Sequence, residues 1–441
     1  MQMKKHLIIA ITASVVTSHS LVADTMTLSD TNLSSVVSSL SKEMIVLPYV
    51  FSTDSTGFSG GVGVIKRGLL QPQTTAIATL FYGAKQDITT NGSSDTANFS
   101  GGMVSFFNYR VPSTERLLFS FTGFKSYFPK ARHYFIGNHN SKQSDAFETS
   151  GDSDMLYTTF RYILPIGEGI DNPSRLYTLQ HGLAQHREGF GGNIPFVTGF
   201  TSLGFETFYE HDSFENYQAA NDLGHLKEWN TNGLRFFIEH ENTDYDLNPS
   251  RGYQFRLRYS KDFGWGDATD TWNFLEFKYN HYLSLPNFSW TQQSILAMSL
   301  WTGHSFSWKN SNDPTALDTH RPPPREGARL GGYNRMRGYE NNRFSDKSVF
   351  YITAEYRATL TWNPFRKNDY VPVAIDWLQV VPFVEAGRVN DTYNLDLLKE
   401  MKFDAGISLR AMAAQVPIRL DIAYGDEGAN FWVMVFQPFD F

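Results

Sequence analysis

Hydrophobic and polar residues alternate along most of this chain with a period of two, the repeat of a strand with two unlike faces. Tyr253, Phe255, Leu257 and Tyr259 fall on one face and Gln254, Arg256, Arg258 and Ser260 on the other. Ile352, Ala354, Tyr356, Ala358 and Leu360 oppose Thr353, Glu355, Arg357 and Thr359, and Ile418, Leu420, Ile422 and Tyr424 oppose Arg419 and Asp421. Such segments are predicted near 59–66, 73–84, 100–110, 115–126, 154–165, 175–188, 200–210, 232–241, 252–262, 271–283, 290–303, 347–360, 378–387, 403–412, 416–425 and 430–441. That is about 16 strands, the even number that a single-chain bacterial barrel requires. Leu285-Pro286-Asn287 and Ala413 to Val416 read as short turns at one end, and Ser305 to Asp346 as a long loop at the other. The connections around 85–99 and 127–153 are too long for the turn end, to which this strand list assigns them.

Composition decides what such strands enclose. The chain has 441 residues, 15% of them aromatic, with 34 glycines and no cysteine, and its mean hydropathy is −0.34. No window supplies the roughly 18 uninterrupted apolar residues of a membrane helix. A closed barrel satisfies its backbone between strands and needs an apolar surface only on the outside. The expected fold is therefore all-β: a transmembrane antiparallel β-barrel. A two-sheet sandwich is the soluble alternative, but strand signal over roughly 400 residues exceeds an ordinary sandwich. The chain also ends on an aromatic strand, Phe431 to Phe441, which a soluble protein would leave exposed to edge pairing.

The N-terminus, Met1-Gln2-Met3-Lys4-Lys5-His6 followed by an apolar run from Leu7 to Val16 and small residues to Ala23, has the order of a secretory signal peptide. The expected organisation is a signal peptide at 1–23, a Ser- and Thr-rich periplasmic leader at 24–47 and a barrel at 48–441. The lack of cysteine excludes a disulfide framework and thiolate metal sites. A net charge of −7 argues against nucleic acid as a partner. Hydrolysis would need a nucleophile beside a base, and no Ser, His and Asp constellation stands out. His181 and His186 lie five apart in one predicted strand, hence on opposite faces and poorly placed as joint metal ligands. No enzyme activity, metal or cofactor is expected.

The most specific segment is Arg325-Glu326-Gly327-Ala328-Arg329-Leu330-Gly331-Gly332-Tyr333-Asn334-Arg335-Met336-Arg337-Gly338-Tyr339, with Arg343-Phe344 and Asp346 after it. With Pro48-Tyr49, Thr56-Gly57-Phe58, Tyr134-Phe135-Ile136-Gly137-Asn138, Asn248-Pro249-Ser250-Arg251-Gly252, Phe383-Val384-Glu385-Ala386-Gly387 and Pro417-Ile418-Arg419-Leu420-Asp421 in order, it resembles the BamA/TamA (bacterial surface antigen) family from about residue 48 onward. The resemblance implies a long sixth extracellular loop folded back into the barrel. Its signature Arg337, with Gly338 and Tyr339, would meet acids on the next two strands: Glu355, and Glu385 where an Asp is more usual. Alternation independently turns Glu355 to the lumen, and Glu385 follows if Gln379, Val381 and Phe383 share its face. A guanidinium can grip carboxylates as a bidentate fork, and glycine lets the loop backbone pass close to a wall. From composition alone, Arg337 would read as a solvated loop arginine like Arg329, Arg335 and Arg343.

The resemblance further implies residence in the outer membrane of a Gram-negative bacterium, among outer-membrane lipids and lipopolysaccharide. Phe439 and Phe441 would form a C-terminal signal read by the barrel assembly machinery. The polar leader is too short for a folded POTRA domain, so a short, POTRA-less member is expected. The expected function is to assist insertion or translocation of a client outer-membrane or secreted protein, through first and last strands that pair weakly, with Pro438 removing a ladder donor. The alternative is a passive or gated channel.

Overall fold

The computed structural model describes residues 44–439 except 54, 91–92, 136, 172, 174–178, 185–196, 216–226, 313–316, 367–374 and 414–415, with the backbone alone at 52–53, 88–90, 93–95, 179 and 184. The signal peptide, nearly all of the leader and Phe441 therefore lie outside the described residues. A 16-stranded sheet dominates: β1 (Met44–Thr53), β2 (Gly57–Arg67), β3 (Thr75–Thr90), β4 (Ser93–Arg110), β5 (Leu117–His133), β6 (Phe147–Ile163), β7 (Phe200–Ser213), β8 (Glu228–Thr243), β9 (Gly252–Asp262), β10 (Trp272–Leu285), β11 (Thr291–His304), β12 (Ser348–Leu360), β13 (Ile375–Asn390), β14 (Lys402–Ala413), β15 (Val416–Gly425) and β16 (Gly428–Val435). Each strand pairs antiparallel with its sequence neighbours. The sheet curls until β1 lies beside β16, and no ladder joins those two among the described residues.

The strand number agrees with the sequence reading through two errors that cancel. Met44 to Phe51 forms a barrel strand that the reading gave partly to the leader, so the sheet begins four residues before Pro48. The segment 175–188 is not a wall strand. Its described part is a small hairpin, Leu179–Gln180 against Leu183–Ala184, turned by His181 and Gly182, both at positive φ as a two-residue hairpin turn requires. His186 lies outside the described residues. Counting β1 also shifts the parity of every early connection. The connections at 91–92 and 134–146 now fall at the end of the sixth loop, 305–347, where length is tolerated. At the opposite end the connections are turns such as 68–74, 111–116 and 286–290, with 164–199 and, less so, 361–374 the longer exceptions. Through its hairpin that segment reaches β13 and β14: Leu183 packs with Tyr245, Trp377 and Met412, and Trp377 Nε1 donates to the Gly182 carbonyl at 3.1 Å.

The outer face is an apolar band carrying Val62, Leu80, Val104, Leu257, Ile352, Val384, Ile407 and Ile422, all exposed. Exposed aromatics rim it at both ends: Phe288, Trp290 and Trp362 at the turn end, Phe263, Trp265, Phe306 and Tyr393 at the loop end. Such girdles mark membrane interfaces. The inner face divides in two. From β6 onward it carries paired charges, as where Arg235 meets Glu206 at 2.5 Å and Glu210 at 3.2 Å. Along β1 to β5 it carries rings: Phe51, Phe81, Phe99, Phe124 and Phe128 form a chain of aromatic contacts.

Candidate functional site

The sixth loop turns inward and fills the loop-end half of the lumen. A short hairpin, Ala328–Leu330 with Phe344–Asp346, carries its apolar side chains into a core with Phe208, Trp272, Phe274 and Trp301 from one wall and Val349, Tyr351 and Val389 from the other. Leu330, Met336, Tyr339 and Phe344 are each at most 1% exposed, and burying one such side chain contributes roughly 1.5–3 kcal/mol.

Arg337, at the tip of the turn that follows, is fully buried. Its Nη2 lies 3.0 Å from Glu355 Oε1, its Nε 3.3 Å from Glu385 Oε2 and its Nη1 3.5 Å from Asp421 Oδ2. The backbone N–H of Arg337 also donates to Glu385 Oε2 at 2.6 Å. The geometry departs from a bidentate fork: each carboxylate faces one nitrogen, and Nε and Nη2 sit at ion-pair distance without hydrogen-bond alignment. The guanidinium plane instead stacks on Phe383, 3.4 Å from the ring centroid. Burial alone would lower the pKa of Arg337; Glu385, Glu355 and Asp421 outweigh it and raise it above its ordinary value.

Gly338 and Tyr339 complete the contact. The Gly338 N–H donates to Asp404 Oδ2 at 3.0 Å. A Cβ at that position would stand 2.6 Å from Asp404 Cβ and 2.8 Å from the Gly425 nitrogen, so only glycine lets the loop backbone touch the wall. Tyr339 OH donates to the Phe403 carbonyl at 3.1 Å, and Trp432 Nε1 donates to the Arg337 carbonyl at 2.9 Å. The structure thus brings Arg337, Gly338, Tyr339, Glu355 and Glu385 together and adds Asp421, Asp404, Phe383 and Trp432, which the sequence reading left out of the site. Alternation had already turned Asp421 inward; nothing local distinguished Asp404 or Trp432. Glu355 is shared with Arg357 at 2.9 Å and Arg410 at 2.7 Å. Two of the neighbouring loop arginines are not solvated either: Arg343 is 0% exposed and pairs with Glu427 at 2.7 Å, and Arg329 is also buried, while Arg335 is half-buried.

The C-terminus departs from its predicted course. β16 ends at Val435, and Phe436, at φ 65°, turns the chain into the lumen. Pro438 therefore lies beyond the last strand and removes no ladder donor from it. Phe439 packs with Tyr282, Ile295 and Ala297 under the Arg357 guanidinium, and its carbonyl accepts from Lys278 Nζ at 2.9 Å and Asn280 Nδ2 at 2.8 Å. Gly57-Phe58-Ser59-Gly60-Gly61 carries the letters of a nucleophile elbow, G-x-S-x-G, but lies on a strand. The Ser59 hydroxyl donates to the Thr56 carbonyl at 2.9 Å rather than standing on a strand-to-helix turn beside a base. Among the described residues no cluster of three His, Cys, Asp or Glu could hold a metal ion.

A membrane-spanning barrel, closed except at one seam and filled by a loop anchored through a buried arginine, is the class of protein this geometry defines. The sequence profile of the Omp85 superfamily domain matches residues 177–433, and the chain belongs to that superfamily. Barrels of this family reside in the Gram-negative outer membrane, as this one does. CdiB from Escherichia coli superposes with a TM-score of 0.52 at 10% identity, over 89% of this chain and 61% of that one. BamA from Haemophilus ducreyi lacking POTRA domains 1–3 gives 0.46 at 12% identity over 89% and 69%, and CdiB from Acinetobacter baumannii 0.49 at 11% over 89% and 58%. The chain thus spans about three fifths of the CdiB structures, and at such identities the likeness concerns the fold. No curated protein sequence matches the chain significantly.

Proposed function

We propose that this barrel assists the insertion or translocation of other proteins at the outer membrane by parting β1 from β16 while the sixth loop braces the strands on the β16 side. The observation that carries this reading is the seam: among the described residues β1 and β16 are neighbours without a ladder, so separating them sacrifices few backbone hydrogen bonds. Edge strands of this kind are templates for another chain. The filled lumen weighs against a passive channel, since the loop, the tail at Phe439 and the hairpin against Trp377 all lie inside it. The client is an unfolded outer-membrane or secreted protein, and outer-membrane lipids and lipopolysaccharide surround the seam. For Phe439 and Phe441 we retain the role of address to the barrel assembly machinery, acting in the unfolded chain before Phe439 enters the lumen.

The test adds a small unfolded reporter barrel to liposomes holding the protein, its Arg337→Met form, or nothing. A form with one cysteine placed in β1 and one in β16 is cross-linked across the seam; the native chain has no cysteine to interfere. Acceleration by the wild type that the cross-link abolishes and reduction restores is the expected result. A wild type that leaves the reporter at the empty-vesicle rate would refute the proposal.

A further inference from the structure

Two buried arginines of the sixth loop remain without an ion-pair partner among the described residues. Arg321 and Arg329 are 5% and 6% exposed, and neither forms an ion pair with a carboxylate among the described residues. Their donors are partly used on backbone carbonyls: Arg321 Nη1 on Phe135 at 2.7 Å, Arg329 Nη2 on Pro323 at 2.7 Å and Nε on Glu326 at 2.5 Å. Arg321 Nε and Arg329 Nη1 are buried with no hydrogen-bond partner.

Both side chains line one small cavity between the third connection at the loop end, 134–146, and the sixth loop. Asn342 and Ser345 line it too, and their side chains make no hydrogen bond among the described residues. The frame is rigid. Trp308 stacks under Arg321, 4.5 Å from centroid to guanidinium carbon, and Pro322-Pro323-Pro324 fixes the backbone between the two arginines. The one carboxylate in the lining, Glu326, is held by Arg235 at 2.9 Å. A guanidinium buried without a paired carboxylate is costly, and this cavity holds two, each with an N–H to spare.

We propose that the cavity is a binding site for a phosphoryl group. A tetrahedral dianion neutralises both guanidiniums and offers enough oxygens for Arg321, Arg329 and the neutral donors together, and arginine is suited to such oxyanions. A single carboxylate would leave one of the two charges unmatched. The phosphoryl group can be free in solution or carried by a lipid of the outer leaflet.

Thermal unfolding of the full chain in detergent, titrated with inorganic phosphate against chloride at matched ionic strength, tests the site. The expected result is a saturable upward shift with the apparent Kd weakened at least tenfold in Arg321→Met and in Arg329→Met. Heat-dependent gel mobility verifies that each variant is folded. Should either fail to fold, Arg321→Lys is read instead: it keeps the charge, loses the planar fork, and is expected to bind more weakly than wild type. Repeating the titration in vesicles of lipid A or its dephosphorylated form separates the sources. A phosphate response present in both assigns the site to a free ligand, and one lost only in phosphorylated vesicles assigns it to the lipid. No saturable shift beyond the chloride control, or one undiminished in the folded variants, overturns the proposal.

Discussion

Replacing Arg337 with methionine keeps an unbranched stem and removes the guanidinium, and the three carboxylates it faces do not lose equally. Glu355 retains Arg357 and Arg410, and Asp421 retains Arg419. Glu385 has no other arginine among the described residues: it retains the Tyr351 hydroxyl and the backbone N–H of residue 337, with the Asp404 carboxyl beside it. The damage therefore concentrates on one buried carboxylate. Breaking a buried pair by removing one partner costs about 3–5 kcal/mol, and the two surviving hydrogen bonds place this case near the lower end. A loss of about 3 kcal/mol raises the population of released loop roughly a hundredfold. Hydrogen exchange across residues 325–345 in detergent reads that opening directly, while gel mobility reports whether the barrel stays folded. The diagnostic partner is Glu385→Gln. Added to Arg337→Met it removes the stranded charge and is expected to recover protection, whereas alone it leaves the arginine with two carboxylates and costs less. A loop that exchanges as slowly in Arg337→Met as in wild type, or a double variant no better than the single, would refute this division of the anchor's energy.

Loop stability also depends on pH. Burial raises Asp346 to about 6 and Glu326 to about 7, in the latter case against the opposing pull of Arg235. For acids whose folded pKa exceeds the unfolded value, the protonated form is the one the fold favours, so the stabilisation is full near pH 4 and declines as pH rises toward 7. Proteolytic protection of the sixth loop is expected to fall across that window in wild type and to flatten in Asp346→Asn with Glu326→Gln; a loop better protected at pH 7 than at pH 4.5 contradicts the assignment. Phe439→Ala empties the space among Tyr282, Ile295 and Ala297 and is expected to cost about 3 kcal/mol, seen as a lower unfolding temperature in detergent. Unchanged stability would mean that the tail does not occupy the lumen.

How legible each part was in the sequence follows from what lines the lumen beside it. β9, β12 and β15 alternate cleanly because their inner faces carry charge, so Arg256, Glu355, Arg357, Arg419 and Asp421 contrast with lipid-facing neighbours. β1 was hidden because its inner face is aromatic. Tyr49 and Phe51 point inward toward Thr79, Phe81 and Phe99 while Val46 and Val50 are exposed outside, and a strand apolar on both faces has no period to detect. Missing that one strand inverted the assignment of the long early connections. The segment 175–188 misled for the opposite reason: its Leu residues flank a His-Gly turn, a signal for a hairpin that the strand pattern obscured. Arg337, Glu355 and Glu385 could be named from the loop motif and alternation. Asp404 and Trp432 could not, since their contacts depend on how far the loop penetrates, which the strand repeat does not encode.

The loop's attachments are unevenly distributed around the barrel. Through Arg337, Gly338 and Tyr339 it is tied to β12, β13, β14, β15 and β16, and through Glu340 and Arg343 to the top of β5 and the connection after it. The described contacts tie none of β1 to β4 to the loop. Mechanically the barrel is a stiff shell joined to a compliant flap, with the seam at the flap's free edge. If the seam opens as proposed, bending imposed by the surrounding bilayer is expected to concentrate in those four strands, with β1 rather than β16 as the edge that moves.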